Sequence, residues 1–194
     1  MGDQGLVLEY SVMVRRGENT SWSDSQNVSS DVTSLTIPGL HPFTVYSFRV
    51  IAVFSDNVSS VSEESYYMVT LREAPSGSPT ITMAHNISSN ALYLSWEPPH
   101  PLTINGEFLG YKLTYESRDR GRASSGRSKS VVMIKNPDIR EFILRDLVTY
   151  TRYTLALQVV NPEGEGPATK VLVMTDEGGE SRVMRLLPVT RTLF

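Results

Sequence analysis

The chain has 194 residues, 40% of them hydrophobic and 20% charged, with a formal net charge of −3. Its length accommodates one large domain or two of about 100 residues each, its composition excludes a disordered chain, and its charge lacks the basic excess of a nucleic-acid binder. The absence of cysteine excludes a disulfide framework and any thiolate metal site.

From the start, Met1-Gly2-Asp3-Gln4-Gly5 has neither the basic nor the apolar region of a signal peptide. Read as given, such a chain is a piece or alternative form of something longer, or it stays in the cytosol. No apolar run reaches the roughly 18 residues of a membrane-spanning helix, so insertion by this chain itself is not expected. Residues 6–14 alternate with period two, placing Leu6, Leu8, Tyr10, Val12 and Val14 on one face of a strand. Ser34-Leu35-Thr36-Ile37 leads into the turn signal Pro38-Gly39. Residues 46–53 alternate again, and 66–71 form a further strand.

Residues 72–79, Arg-Glu-Ala-Pro-Ser-Gly-Ser-Pro, have the composition of a short linker. The strand pattern then restarts at 80–84 and 91–96. Pro98-Pro99-His100-Pro101 cannot sit in a central strand and reads as a loop. Over 108–115, Leu109, Tyr111, Leu113 and Tyr115 form the expected core face. Runs at 131–135, 141–144, 153–160 and 170–174 follow. Seven short strands in about 100 residues, with no helical segment between them, predict a two-sheet sandwich.

The two halves repeat each other. Leu8-Glu9-Tyr10-Ser11-Val12 matches Leu109-Gly110-Tyr111-Lys112-Leu113, residues 40–46 match 147–153, and Tyr67-Met68-Val69-Thr70 matches Leu172-Val173-Met174-Thr175. A period near 100 residues means tandem domains. Leu40-His41-Pro42-Phe43-Thr44-Val45-Tyr46 resembles the corner of the fibronectin type III family. Trp96 in Leu94-Ser95-Trp96-Glu97-Pro98-Pro99 resembles that family's core tryptophan, and Asn161-Pro162-Glu163-Gly164-Glu165-Gly166-Pro167 resembles its last loop. The resemblance covers about residues 6–176, and the second repeat also resembles sidekick-type adhesion arrays. It implies an all-β chain of two tandem Ig-like (fibronectin type III) β-sandwiches. Tyr46 and Tyr153 become corner tyrosines, and Trp96 and Tyr111 core aromatics. Thr149 departs from the pattern, standing where the family has proline.

The expected organisation is a partial domain at 1–72, a linker at 73–79, a complete domain at 80–177 and a disordered tail at 178–194. The first domain begins at the third strand of the family pattern, so its first two strands and their tryptophan are absent. An open sheet edge and an incomplete core make it weakly stable alone. The tail, Ser181-Arg182-Val183-Met184 onward, has as its second reading a peptide that adds to an open sheet edge. Pro188 and three arginines weigh against that.

No chemistry-bearing constellation emerges. His41, His85 and His100 are scattered, and nucleophile elbow, P-loop, zinc and dinucleotide motifs are missing. The expectation is a non-enzyme without cofactor or metal. Trp22, in Thr20-Ser21-Trp22-Ser23, carries half of a cytokine-receptor Trp-Ser box. It lies too early in its repeat, and its plainer role is to pack on an early strand. Residues 116–130 hold Arg118, Arg120, Arg122, Arg127 and Lys129 against Glu116 and Asp119. Such a loop is either a solvated connection or an anionic contact site for an acidic protein face or a sulfated glycan. Arg122-x-x-Ser125 also has basic-directed kinase spacing, a match common by chance. Loops 98–107 and 161–167 lie at one end of the second sandwich, where such folds bind partners.

Four sequons, at Asn19, Asn27, Asn57 and Asn86, favour a glycosylated ectodomain. Together with the resemblance they imply a protein-binding and spacer module of a cell-surface adhesion molecule or receptor, placed outside the plasma membrane as part of a longer parent. Its partners would be other proteins. The alternative is an intracellular scaffold of the cytoskeletal kind, cytosolic if the chain is made as given.

Overall fold

The computed structural model describes residues 5–56, 58–118 and 129–175. It is all-β and falls into two compact units that divide between Arg72 and Glu73.

Among the described residues the first unit holds a single antiparallel sheet. It comprises β1 (Val7–Arg16), β2 (Ser23–Ser29), β3 (Val45–Phe54), β4 (Ser59–Val61) and β5 (Met68–Val69), in the order β2-β1-β3-β4 with β5 also on β3. Tyr10 and Val12 of β1, Phe48 and Val50 of β3, and Met68 of β5 share one face. With Leu35 they line an open, largely apolar groove of about 760 Å³. Val50 is 39% and Met68 53% exposed.

The second unit holds two sheets. One contains β6 (Thr80–Ser88), β7 (Ala91–Glu97) and β10 (Glu141–Leu144), in the order β10-β7-β6. The other contains β8 (Gly110–Ser117), β9 (Lys129–Ile134), β11 (Arg152–Asn161), β12 (Gly164–Glu165) and β13 (Thr169–Met174), in the order β12-β11-β8-β9 with β13 on β11. Leu92, Leu94 and Trp96 from the first sheet and Tyr111, Leu113, Leu155, Leu157 and Val159 from the second are buried in one core between them. Alternation along β11 is regular, buried at every second residue.

The expected two-sandwich class, with the first sandwich short of its first two strands, is what the fold shows. Local differences have physical causes. Strand β2 has no apolar alternation, because an edge strand needs only hairpin pairing with β1; Val28 alone of its side chains lines the groove. Leu6 and Leu8 are exposed rather than on the core face, since the β1–β3 register slips between Val7 and Glu9. Leu109 is also exposed, and Phe108 packs on the core instead. At the first residue of β8, Gly110 takes φ +130°, and a Cβ there would lie 2.1 Å from the Ile134 carbonyl oxygen. That residue resets the alternation in a conformation only glycine adopts freely.

Residues 34–37 join no ladder. Their counterpart in the second unit, β10, pairs with β7, and the first unit as described offers no strand in that position. Residues 73–79, read from composition as a linker, are bonded into the second unit. The Glu73 N–H donates to the Asn105 carbonyl at 3.0 Å and the Ser76 N–H to the Thr103 carbonyl at 2.9 Å. Gly77 fits so closely that a Cβ would meet Thr103 Oγ1 at 2.0 Å. The tail from 178 lies outside the described residues.

Two outcomes are expected. Trp96→Ala, at 2% exposure, should destabilise the second unit by about 3–5 kcal/mol in urea denaturation. In native-state hydrogen exchange, amides of β1 should exchange on the order of a hundredfold faster than those of β8, since among the described residues no second sheet covers β1.

Candidate binding surfaces

The two units share one corner, built twice. In the first unit the Tyr46 hydroxyl accepts the His41 N–H at 2.9 Å. In the second the Tyr153 hydroxyl accepts the Val148 N–H at 3.0 Å. The chain reverses through left-handed residues at matching places, Gly39 and Phe43 in one unit (φ 75° and 48°) and Asp146 and Tyr150 in the other (φ 59° and 51°). Bulky residues there cost on the order of 1–3 kcal/mol each, so other bonds must hold them. A threonine missed in the sequence does so. The Thr175 hydroxyl donates to the Val148 carbonyl at 2.7 Å and accepts the Thr151 N–H at 3.0 Å. Thr70 repeats both bonds, to His41 at 2.5 Å and from Thr44 at 3.0 Å. Its only signal was its place at the end of the matched segments. Thr149 substitutes for proline without changing the corner: Thr151 Oγ1 donates to its carbonyl at 2.9 Å, as Thr44 Oγ1 does to Pro42 at 2.8 Å.

Trp96 meets Tyr111 edge-to-face with ring centroids 5.1 Å apart, and Phe108 lies edge-on to the same tyrosine at 5.2 Å. The Tyr111 hydroxyl accepts from Arg140 Nη1 at 3.1 Å. Burial pushes that hydroxyl above the ordinary tyrosine value of 10.0, against the opposing pull of the Trp96 indole and the Arg140 charge.

One end of the second sandwich is fixed by Asn161. Its amide nitrogen donates to the carbonyls of Glu73 at 2.7 Å and Ile104 at 2.8 Å, and its Oδ1 accepts the N–H groups of Glu163 at 2.9 Å and Gly164 at 3.1 Å. A buried asparagine with all these bonds made is a satisfied structural group. It joins loop 161–167 to loop 98–107, whose 3₁₀ turn at Pro101–Thr103 is capped by His100. Both loops are thus held in place before any partner arrives, which lowers the ordering cost of contact.

On the first unit, Trp22 lies beneath two guanidinium groups, Arg15 at 4.8 Å and Arg49 at 4.6 Å from its ring centroid. Glu64 pairs with Arg15 and stands 3.7 Å from Arg49. Local chemistry holds Glu64 there: Ser62 and Ser65 hydroxyls accept the Val50 and Phe48 N–H groups, at 3.0 and 2.9 Å, and fix the chain against β3 on either side of Glu63-Glu64. The strand expected at 66–71 is shorter, confined to β5 at Met68–Val69. Trp22 therefore packs on β1 and β3.

Of the basic loop, Arg120, Arg122 and Arg127 lie outside the described residues. Arg118 Nε donates to Thr154 Oγ1 at 3.0 Å, and Lys129 sits opposite Glu116 across β8 and β9; these contacts lend no support to a sulfated-glycan site. Among the sequons, Asn19 is exposed between β1 and β2, Asn27 is exposed within β2, and Asn86 is half-buried in β6. Asn57 lies outside the described residues. No His, Asp or Glu group that could hold a metal ion occurs among the described residues.

Paired sheets closed by a tyrosine corner define an immunoglobulin-like sandwich module. The sequence model of the Fibronectin type III domain matches residues 73–175, and the chain belongs to that family. It is similar to a receptor-type tyrosine-protein phosphatase of Aedes aegypti, mosPTP-1, with 47% identity over 96% of the chain and 14% of the relative. Protein sidekick-2 of Mus musculus is 30% identical over 86% of the chain and 8% of the relative. The chain thus spans a small part of the relatives it matches. Among solved structures, the chicken CNTN1 FN1–FN3 domains share the fold, with a TM-score of 0.67 at 20% identity over 88% of this chain and 57% of that one.

Tyr153→Phe should lower the stability of the second unit by about 1–3 kcal/mol, because the Val148 N–H is left without its acceptor; thermal or urea unfolding measures it. Alkaline titration gives a second check. A raised folded-state value means the unfolded chain gives up the Tyr111 proton first, so this stabilisation is full below the ordinary tyrosine range and is lost as pH rises through the folded value. Tyr111→Phe should flatten that part of the stability profile.

Proposed function

We propose that the chain is a non-catalytic binding and spacing module of a cell-surface adhesion molecule or receptor ectodomain. One observation carries this reading: 96% of the chain matches only 14% of a much longer receptor-type protein, as a segment made of links in an array does. Similarity to the cell adhesion molecule Dscam1 of Drosophila melanogaster, 26% identical over 87% of the chain, supports the same class. The module boundaries proposed are 1–72 for the partial domain and 73–177 for the complete one. Polar side chains at the corners and at Asn161 are occupied in holding the fold, which leaves sheet faces and pinned loops for contact. Each contact is of modest strength alone, and repeats in series add avidity through effective concentration. The partners are other proteins, met outside the plasma membrane.

Intact mass of the chain secreted from mammalian cells, with and without glycosidase, tests the location. A mass that falls on treatment, with sugar on Asn19 or Asn27, is the expected result. An unmodified chain from the same pathway would sink the glycosylated-ectodomain reading.

A further inference from the structure

One edge of the first unit's sheet is β2, and β4 and β5 lie at the opposite edge, on β3. An edge strand offers unpaired backbone groups that pair with the edge of another copy unless a charge, a proline, a bulge or a cover prevents it. In β2, Ser-Asp-Ser-Gln-Asn-Val-Ser, Asp24 is the sole charge, and there is no lysine, arginine or proline. Its first half is blunted another way. Val12 pairs with Gln26 and Met13 with Asp24, so Ser25 is left over as a β-bulge. The second half, residues 26–29, runs in unbroken register against β1, and Asn27 stands within it, opposite Ser11 and exposed. Val28 faces the groove with Tyr10, so alternation puts Asn27 on the opposite, solvent face.

The second unit poses the same problem at the same place. Strand β9 is the edge beside β8 as β2 is beside β1, and its register has no bulge. There Lys129 opens the strand and Lys135 follows it, which is the charge solution. Strand β2 has no such charge in its regular half, but it has the acceptor sequence Asn27-Val28-Ser29.

We propose that Asn27 carries an N-linked glycan that caps the regular half of β2 and keeps the edges of neighbouring copies apart, the role the lysines fill at β9. A glycan is bulky, hydrated and offers no strand to pair with. On an exposed side chain it displaces nothing from the core. The inference rests on the exported, glycosylated reading above.

The test uses the full chain secreted from mammalian cells, with glycopeptide mass spectrometry and sedimentation velocity. Asn27 should be occupied. Asn27→Gln should raise self-association on the order of tenfold, Asn27→Lys should return it to the level of the glycosylated chain, and Asn86→Gln should leave it unchanged. Sugar on other sequons but none on Asn27 overturns the proposal and leaves the ectodomain reading intact. No sugar on any sequon overturns both. An occupied Asn27 whose loss changes nothing overturns the edge role alone. So does Asn27→Lys associating as strongly as Asn27→Gln, which would place the contact elsewhere, in the apolar groove.

Discussion

The contact of β7 against β8 is the constraint on which the second unit depends. A sheet with one apolar face is stable only when that face is covered. Here Leu92, Leu94 and Trp96 descend from one sheet onto Tyr111, Leu113 and Leu157 of the other, and all are buried. Among the described residues, the first unit contains the counterpart of the lower sheet without the counterpart of β7. Its Tyr10 and Val12 occupy the places of Tyr111 and Leu113, yet they line an open groove. The same strand chemistry is a core in one unit and a surface in the other. The effect extends beyond the face itself: residues 34–37 join no ladder, since the described residues of the first unit offer no strand in the place of β7.

Other parts of the fold do not depend on that contact. The corner keeps its hydroxyl bond, its left-handed residues and its threonine clasp in both units. All its partners lie in the corner itself and in the threonine that directly follows β5 or β13. A motif whose bonds are local forms wherever its own sheet forms. This explains how a bulky residue, Phe43 or Tyr150, can hold positive φ in both places: the strain is offset within the corner.

Much of this was legible in the sequence. Two-residue periodicity located β1, β3, β7, β8, β11 and β13, and the tandem match exposed the repeat. The corner tyrosines and Trp96 stood out because large aromatics at fixed spacing need a particular environment. What escaped notice was structure held by polar groups. Strand β2 has no apolar signal, since an edge strand facing solvent needs none. Thr70 and Thr175 look like ordinary strand residues until the corner carbonyls are seen beside them. Asn161 reads as loop chemistry, whereas it fixes loops 98–107 and 161–167 and the chain at Glu73. The segment 73–79 misled by composition. Proline, glycine and serine mark flexible linkers, but they also mark a backbone that must pack closely, and Gly77 against Thr103 is the second case.

Tandem arrangement raises the demands on the surface. Modules on one chain, and chains side by side on one membrane, meet at effective concentrations far above those of free proteins, in the millimolar range for short flexible links. A pairing too weak to matter in dilute solution becomes populated there. Every sandwich of this kind has free edges by construction, since its sheets do not close into a barrel. Each repeat must therefore solve its edges with what its own sequence provides, independently of the core that it shares with its neighbours in type. The two units illustrate that independence: their corners match bond for bond, while β2 and β9 share a position and almost nothing in composition. Selection on the core fixes a few large residues and their spacing. Selection against edge pairing is satisfied by any bulge, charge or cover in the right place, and that freedom lets one fold present different surfaces along an array.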